Sequence, residues 1–164
     1  MTAADIQRVL SVMDALGVPR GELHPEADNG GYDAAACETP GGLVRFRSAR
    51  VTPRKSGLFV AVWRRASDGG TEPFDVGDQR RLVVVAREGS DVGAFVFPSE
   101  TLASRGVVSV DGVGGKRGFR VYPPWSAATS PQAAATQRWQ CASFLPLTDD
   151  APAPSSTQKL HAEC

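Results

Sequence analysis

The sequence predicts a single α/β domain, a sheet framed by helices. Three observations lead there. A stripe of apolar residues at helical spacing opens the chain. Short apolar and β-branched runs, punctuated by Gly and Pro, fill its middle. A capped helical stretch closes it before the composition turns to Asp, Ala, Pro and Ser. A chain of 164 residues that is 41% hydrophobic can bury one sizeable core without staples. The expected division is a domain over 1–147 and a disordered tail over 148–164, TDDAPAPSSTQKLHAEC, which lacks the apolar content of a core.

The elements follow in order. Thr2 with Asp5 three residues on has the form of a capping box, and Ile6, Val9, Leu10, Met13 and Leu16 make one apolar stripe ended by Gly17 and Pro19. Residues 20–31 form a polar connection carrying His24, Glu26, Asp28 and Asn29. A first strand near Tyr32 to Thr39 turns at Pro40-Gly41-Gly42. Val44 and Phe46 then alternate with Arg45 and Arg47, so a strand there places the arginines on one face and the apolar pair on the other. Thr52-Pro53 through Ser56-Gly57 is turn chemistry, and Leu58 to Trp63 is apolar on both faces, as in a central strand. The stretch Thr71 to Asp78 looks loop-like, with Phe74 plugging the core. Strands are expected over 82–86 and 94–97, a short helix capped by Ser99 and closed by Gly106, a weak strand from Val107 to Val113, and a strand over 119–122. Ser130-Pro131 starts the last helix, with Ala135, Trp139 and Ala142 on its core face.

Charge is where the chain departs from the ordinary. It carries 18 Lys and Arg against 18 Asp and Glu, so it is no polycation overall. Seven of those basic residues nevertheless lie in 44–65, and no carboxylate occurs between Glu38 and Asp68. Guanidinium groups held on strands and a turn suit an anion, which they grip with paired planar donors. Lys116, Arg117 and Arg120 add a second basic group, with Tyr122 placed beside Arg120 to stack on a base. The candidate ligand-binding residues are therefore Arg45, Arg47, Arg50, Arg54, Lys55, Lys116, Arg117, Arg120 and Tyr122. Trp63 and Trp125 are further candidates for stacking, while Trp139 is read as a core anchor. Gly-Gly-Lys at 114–116 lacks the spacing and the following helix of a phosphate loop.

Catalytic and metal signals are absent by the same reading. The two histidines have no repeated ligand spacing, and Cys37, Cys141 and Cys164 are an odd set without metal spacing. Cys37 and Cys141 read as small core residues. No secretory signal and no membrane-length apolar run is seen, and a reducing cytoplasm fits the cysteine usage. No cofactor is expected.

The segments FRSARVTPRKSGLFVAVWRR, FVFP, GKRGFRVYPPW and AAATQRWQCASFL, in that order from about Glu26 to Leu145, resemble the MepB-like family of bacterial proteins. The resemblance implies a restriction-endonuclease-like fold, a mixed central sheet flanked by helices. Metal-dependent nucleases of that fold use carboxylates and a lysine on adjacent strands. Here the corresponding strands carry Arg45, Arg47, Arg64 and Arg65 instead, and Glu26, Asp33 and Glu38 lack the required spacing. The leading expectation is a non-catalytic nucleic-acid binder. An enzyme on a phosphorylated or carboxylated small molecule, with Glu26 as base, and a structural or regulatory protein-interaction domain are the alternatives. In a purely structural role every arginine would be bonded to a carboxylate.

Overall fold

The computed structural model describes residues 3–147; the expectations for Thr2, Cys164 and the tail lie outside them. In chain order the elements are α1 (Ala3–Ala15), β1 (His24–Pro25), β2 (Ala35–Thr39), β3 (Gly42–Ser48), β4 (Arg50–Val51), β5 (Leu58–Ala61), β6 (Trp63–Arg65), β7 (Thr71–Pro73), β8 (Arg81–Glu88), β9 (Asp91–Pro98), α2 (Ser99–Ser104), β10 (Gly118–Val121), α3 (Pro131–Cys141) and β11 (Phe144–Pro146). Short 3-10 turns sit at Gly30–Tyr32 and Val76–Asp78.

Six strands build the central sheet in the order β1-β2-β3-β8-β9-β11. It is mixed. β3 and β8 run parallel, with Val44 opposite Arg81 and Phe46 opposite Val83, and the other pairs are antiparallel. β2 and β3 join through a two-residue turn at Pro40-Gly41, as their sequence indicates. The β8–β9 hairpin supplies the buried centre, because Val83, Val84, Val85, Ala94 and Phe95 leave no strand position there for solvent.

The two faces of this sheet are covered differently. Val44, Phe46, Val83, Val85 and Ala94 pack against Ile6, Val9 and Leu10 of α1. On the other face Leu82, Val84, Phe95 and Phe97 meet Leu58, Val60, Phe119 and Val121. These last four come from a second, three-stranded sheet in the order β10-β5-β4. Phe95 stacks on Phe97 at 5.3 Å and takes Phe144 edge-on at 5.1 Å, the close aromatic packing that fixes the two layers. A two-stranded ribbon, β6 with β7, completes the strands.

Several local expectations are corrected. Leu58 to Ala61 is a central strand, but of the smaller sheet, between β10 and β4, and Trp63 already belongs to β6. The chain leaves that sheet at Ala49, which is buried and donates its N–H to Val85 O, and β4 and β5 pair in the smaller sheet. Thr71–Pro73 is a strand despite its polar and proline content, since an edge strand beside β6 tolerates both. Phe74 does plug the core. Residues 107–113 form no strand beyond isolated bridges, although Val107 and Val108 are buried. Ser99 caps nothing; its hydroxyl donates to Val76 O and accepts from Gln79. Leu16 is exposed, and Ala133, Gln140 and Cys141, not Ala135 and Ala142, form the buried face of α3. Trp139 is half-buried against Phe97, and Cys37 and Cys141 are buried free thiols.

α1 ends as read. Gly17 takes φ +73°, its N–H bonds Asp14 O, and the N–H of Val18 reaches Met13 O, the paired closure of a Schellman motif. Near its start, Asp5 has a larger role than capping. Its side chain is 2% exposed and both oxygens accept from Arg87 at the far end of β8, at 2.8 and 3.0 Å. The hydrogen bond from Arg87 holds the Asp5 carboxyl below its ordinary range against the opposing effect of burial. A depressed carboxylate stabilises the fold above the pKa of the unfolded chain and loses that contribution as pH falls through the folded value. Asp5→Asn should therefore cost about 1–3 kcal/mol at neutral pH. Denaturant titrations of both proteins should converge as the pH is taken below about 4; a gap independent of pH would remove the ion pair from the account.

Candidate anion-binding site

The basic stretch splits into two surroundings. Arg45 and Arg47 project from β3 toward the smaller sheet, opposite to Val44 and Phe46, as the alternation requires. Arg47 has no exposed side-chain surface and Arg45 has 14%. Glu26 bridges them: Oε1 accepts from Arg47 Nη1 at 2.7 Å and Oε2 accepts from Arg45 Nη1. Burial pushes the Arg47 pKa down and the Glu26 carboxylate pulls it back up. Arg47 also donates Nη1–H to Phe46 O and Nε–H to Asn29 Oδ1 at 3.2 Å. The Phe74 ring lies under both guanidinium groups, at 4.2 Å from Arg45 and 5.8 Å from Arg47.

Asn29 is the residue that sequence reasoning passed over. It is buried and left-handed at φ 62°, a conformation Asn tolerates better than most side chains. Its Oδ1 also accepts the backbone N–H of Trp63, so one amide ties the polar connection to β3 and to β6. The neighbouring arginines are paired as well: Arg64 with Glu72 and Asp78, and Arg65 with Asp28 while lying over the Trp63 ring. Glu26, Asp28, Arg45, Arg47, Arg64, Arg65, Phe74 and Asp78 together line a cleft of about 390 Å³ whose charges are largely matched.

The second surrounding is the outer face of the smaller sheet. Arg50 on β4 and Arg120 on β10 both stand directly opposite Phe59 on β5. Directly opposed residues share a face, so Arg50, Phe59 and Arg120 form one row across three strands. Arg120 Nε–H donates to Ser56 O, and its Nη2 donates to Thr52 Oγ1 and Gly57 O. Arg50 gives two hydrogen bonds to Gly31 O and reaches Asp33 at 3.4 Å. Carbonyl and hydroxyl acceptors orient a guanidinium without neutralising it. On the turn between β4 and β5, Arg54 and Lys55 are exposed and have no hydrogen bond or ion pair among the described residues. Arg54 sits at φ 69°. Against four cations, Asp33 is the single carboxylate in contact among the described residues.

Gly57 makes this corner possible. It has φ +74°, and a Cβ there would lie 2.8 Å from the Tyr122 ring and from Val121 O. The Tyr122 ring therefore rests on bare backbone beside Arg120, on the side the alternation of β10 predicts. Gln140 of α3 clamps the same strand, donating to Arg120 O and accepting the N–H of Tyr122.

Of the nine predicted residues, Arg50, Arg54, Lys55, Arg120 and Tyr122 come together here. Arg45 and Arg47 are in the matched cleft. Lys116 and Arg117 lie at the other end of β10, about 10 Å along the strand from Arg120, where Arg117 bonds Thr71. Trp125 donates Nε1–H to Glu88 and packs on Phe144, so it is occupied in the fold. Among the described residues no group of three or more His, Cys, Asp or Glu side chains is placed to hold a metal ion, and no helix is long and apolar enough to cross a membrane.

A family model described as MepB-like matches residues 26–146. The crystal structure of MepB is similar over 93% of this chain and 100% of that one, with a TM-score of 0.76 and 27% identity. A bacterial homing endonuclease is similar at a TM-score of 0.48 and 15% identity, over 81% of this chain and 84% of that one. No curated protein matches.

Removing the Glu26 charge leaves a buried guanidinium without its counter-ion, a change that typically costs about 3–5 kcal/mol. Glu26→Gln should lower the unfolding free energy by that order. Adding Arg47→Met should restore part of the loss, because an apolar side chain has no charge to strand. A double variant no more stable than Glu26→Gln would mean that the pair is not the source of the cost.

Proposed function

The chain belongs to the MepB-like family, and we propose that within it this protein binds the phosphate backbone of nucleic acid on the outer face of the β10-β5-β4 sheet. One observation carries the reading: Arg50 and Arg120 are fixed mainly by neutral acceptors, and Arg54 and Lys55, on the adjoining turn, have no partners among the described residues. Four cations with one nearby carboxylate form a net positive strip. Held guanidinium groups meet successive phosphates with little loss of side-chain freedom. Tyr122 and the half-buried Phe59 supply aromatic surface between the arginines, the combination that single strands use. Binding, rather than chemistry, is what this arrangement offers.

Arg45 and Arg47 have a different part in this reading. They set the geometry behind the strip instead of touching the ligand. Glu26 is poorly suited as a general base, since both of its oxygens already accept from guanidinium groups.

A second reading rests on a separate observation. Arg47 Nη2, Arg45 Nε and Asn29 Nδ2 are buried donors without a hydrogen-bond partner among the described residues, and both arginines line the matched cleft. A small carboxylate or phosphate entering that cleft would supply acceptors. Titration with inorganic phosphate tests it: heat that disappears in Arg45→Met supports a small-anion site, and none removes it.

For the leading reading the measurement is fluorescence anisotropy with labelled single- and double-stranded oligonucleotides of several lengths. With four contacts, affinity for a duplex should fall with salt at a log–log slope near −3.6, and near −2.8 for a single strand. Arg54→Ala and Lys55→Ala should each flatten the slope by about 0.7–0.9 without changing stability, since neither side chain has a partner to lose among the described residues. Absence of length-dependent binding at low salt would overturn the proposal.

A further inference from the structure

On the opposite side of the main sheet, α1 does not close down fully on the strands. A cleft of about 560 Å³ remains between its last two turns and the sheet, a size that holds a small organic molecule. Val44, Val83, Val96 and Leu145 make its floor, and Met13 and Leu16 overhang it. Leu16 is 53% exposed and Val18, beside it, 37% exposed, so the apolar lining continues to the mouth. No Asp or Glu lines the cleft; Arg80 and Arg81 do.

Arg81 is the informative residue. It stands opposite Val44 in the parallel pairing and two residues before Val83, so it shares their face and points into the apolar side of the sheet. It is half-buried, yet its guanidinium has no hydrogen bond or ion pair among the described residues. Its neighbour Arg80 reaches Glu100 at 3.2 Å in an exposed pair. An unpaired guanidinium at the end of an apolar cleft lacks only a counter-ion with a hydrocarbon body.

We infer that this cleft binds an apolar organic acid, a carboxylate whose chain or ring lies between α1 and the sheet and whose charge meets Arg81. This site is separate from the proposed nucleic-acid face, both in residues and in the side of the sheet it occupies.

Isothermal titration of the full chain with decanoate and, in parallel, decanol tests it. Decanoate should bind and decanol should bind at least tenfold more weakly, because a charge-assisted hydrogen bond is worth about that factor or more. Arg81→Met should erase the preference for the acid. Leu16→Glu, at an exposed position where folding is not at stake, should repel decanoate and leave the circular dichroism unchanged. Arg54→Ala should leave decanoate affinity as it was, and Arg81→Met should leave oligonucleotide affinity as it was. Equal binding of acid and alcohol, or no binding of decanoate to the folded protein, overturns the inference. So does self-association abolished by Leu16→Glu and unaffected by decanoate, which would put a second copy in the groove.

Discussion

The fold depends on the burial of one charge. Arg47 lies between the two sheets with no exposed surface, in a position where an isolated guanidinium would be several kcal/mol out of balance. What makes it tolerable is Glu26 on one side and Asn29 on another. Both belong to the polar connection before β2, which has little apolar content of its own to hold it in place. The burial thus works in two directions. The connection neutralises the arginine, and the arginine anchors the connection. Through Asn29 Oδ1 the same network catches the N–H of Trp63, so the ribbon of β6 and β7 is fixed to the main sheet by a polar contact.

That arrangement sorts the basic residues. Those nearest the sheet-to-sheet junction are matched with acids from two other segments: Glu26 and Asp28 from the connection between β1 and β2, and Glu72 and Asp78 from β7 and the turn before β8. Those farther along, from Arg50 through the turn to Lys55, pass beyond the reach of these carboxylates. The smaller sheet then adds Arg120 from β10 at the position opposite Phe59. Surface charge therefore concentrates where the acids run out. A run of arginines in a sequence is thus not one functional unit. Part of it is interior electrostatics, and part is a face.

How far this was legible follows from what each residue type can signal. The alternation of β3 placed Arg45 and Arg47 together, opposite Val44 and Phe46, because period 2 is a local property. It could not say that a second sheet covers the arginine face, since that sheet is assembled from β4, β5 and β10, the last of them about 70 residues beyond β3. The same limit hid the row of Arg50, Phe59 and Arg120. β7 was missed because Thr71-Glu72-Pro73 is an edge strand whose polarity matches that of a loop. Residues 107–113 misled in the other direction: Val107 and Val108 fill the core from irregular backbone, so their hydrophobicity reports burial and not pairing. Asn29 carried a faint signal, a residue tolerant of positive φ just before Gly30-Gly31. Its two acceptor contacts to strands 18 and 34 residues later left no mark on the sequence.

The corner around Gly57 shows how the interior and the face are coupled. Arg120 is oriented by carbonyls of Ser56 and Gly57, and Tyr122 lies on the same glycine. Val121 between them is fully buried, and Gln140 of α3 holds the backbone on either side of it. Core packing on the inner face of β10 thus sets the direction of the arginine and the tyrosine on the outer face. A ligand meeting Arg120 and Tyr122 meets side chains already held in place, so less of its binding free energy is consumed in ordering them. Arg54 and Lys55, by contrast, contribute charge without preorganisation. In the proposed binding mode the rigid pair would define where a phosphate sits, and Arg54 and Lys55 would draw the polyanion in.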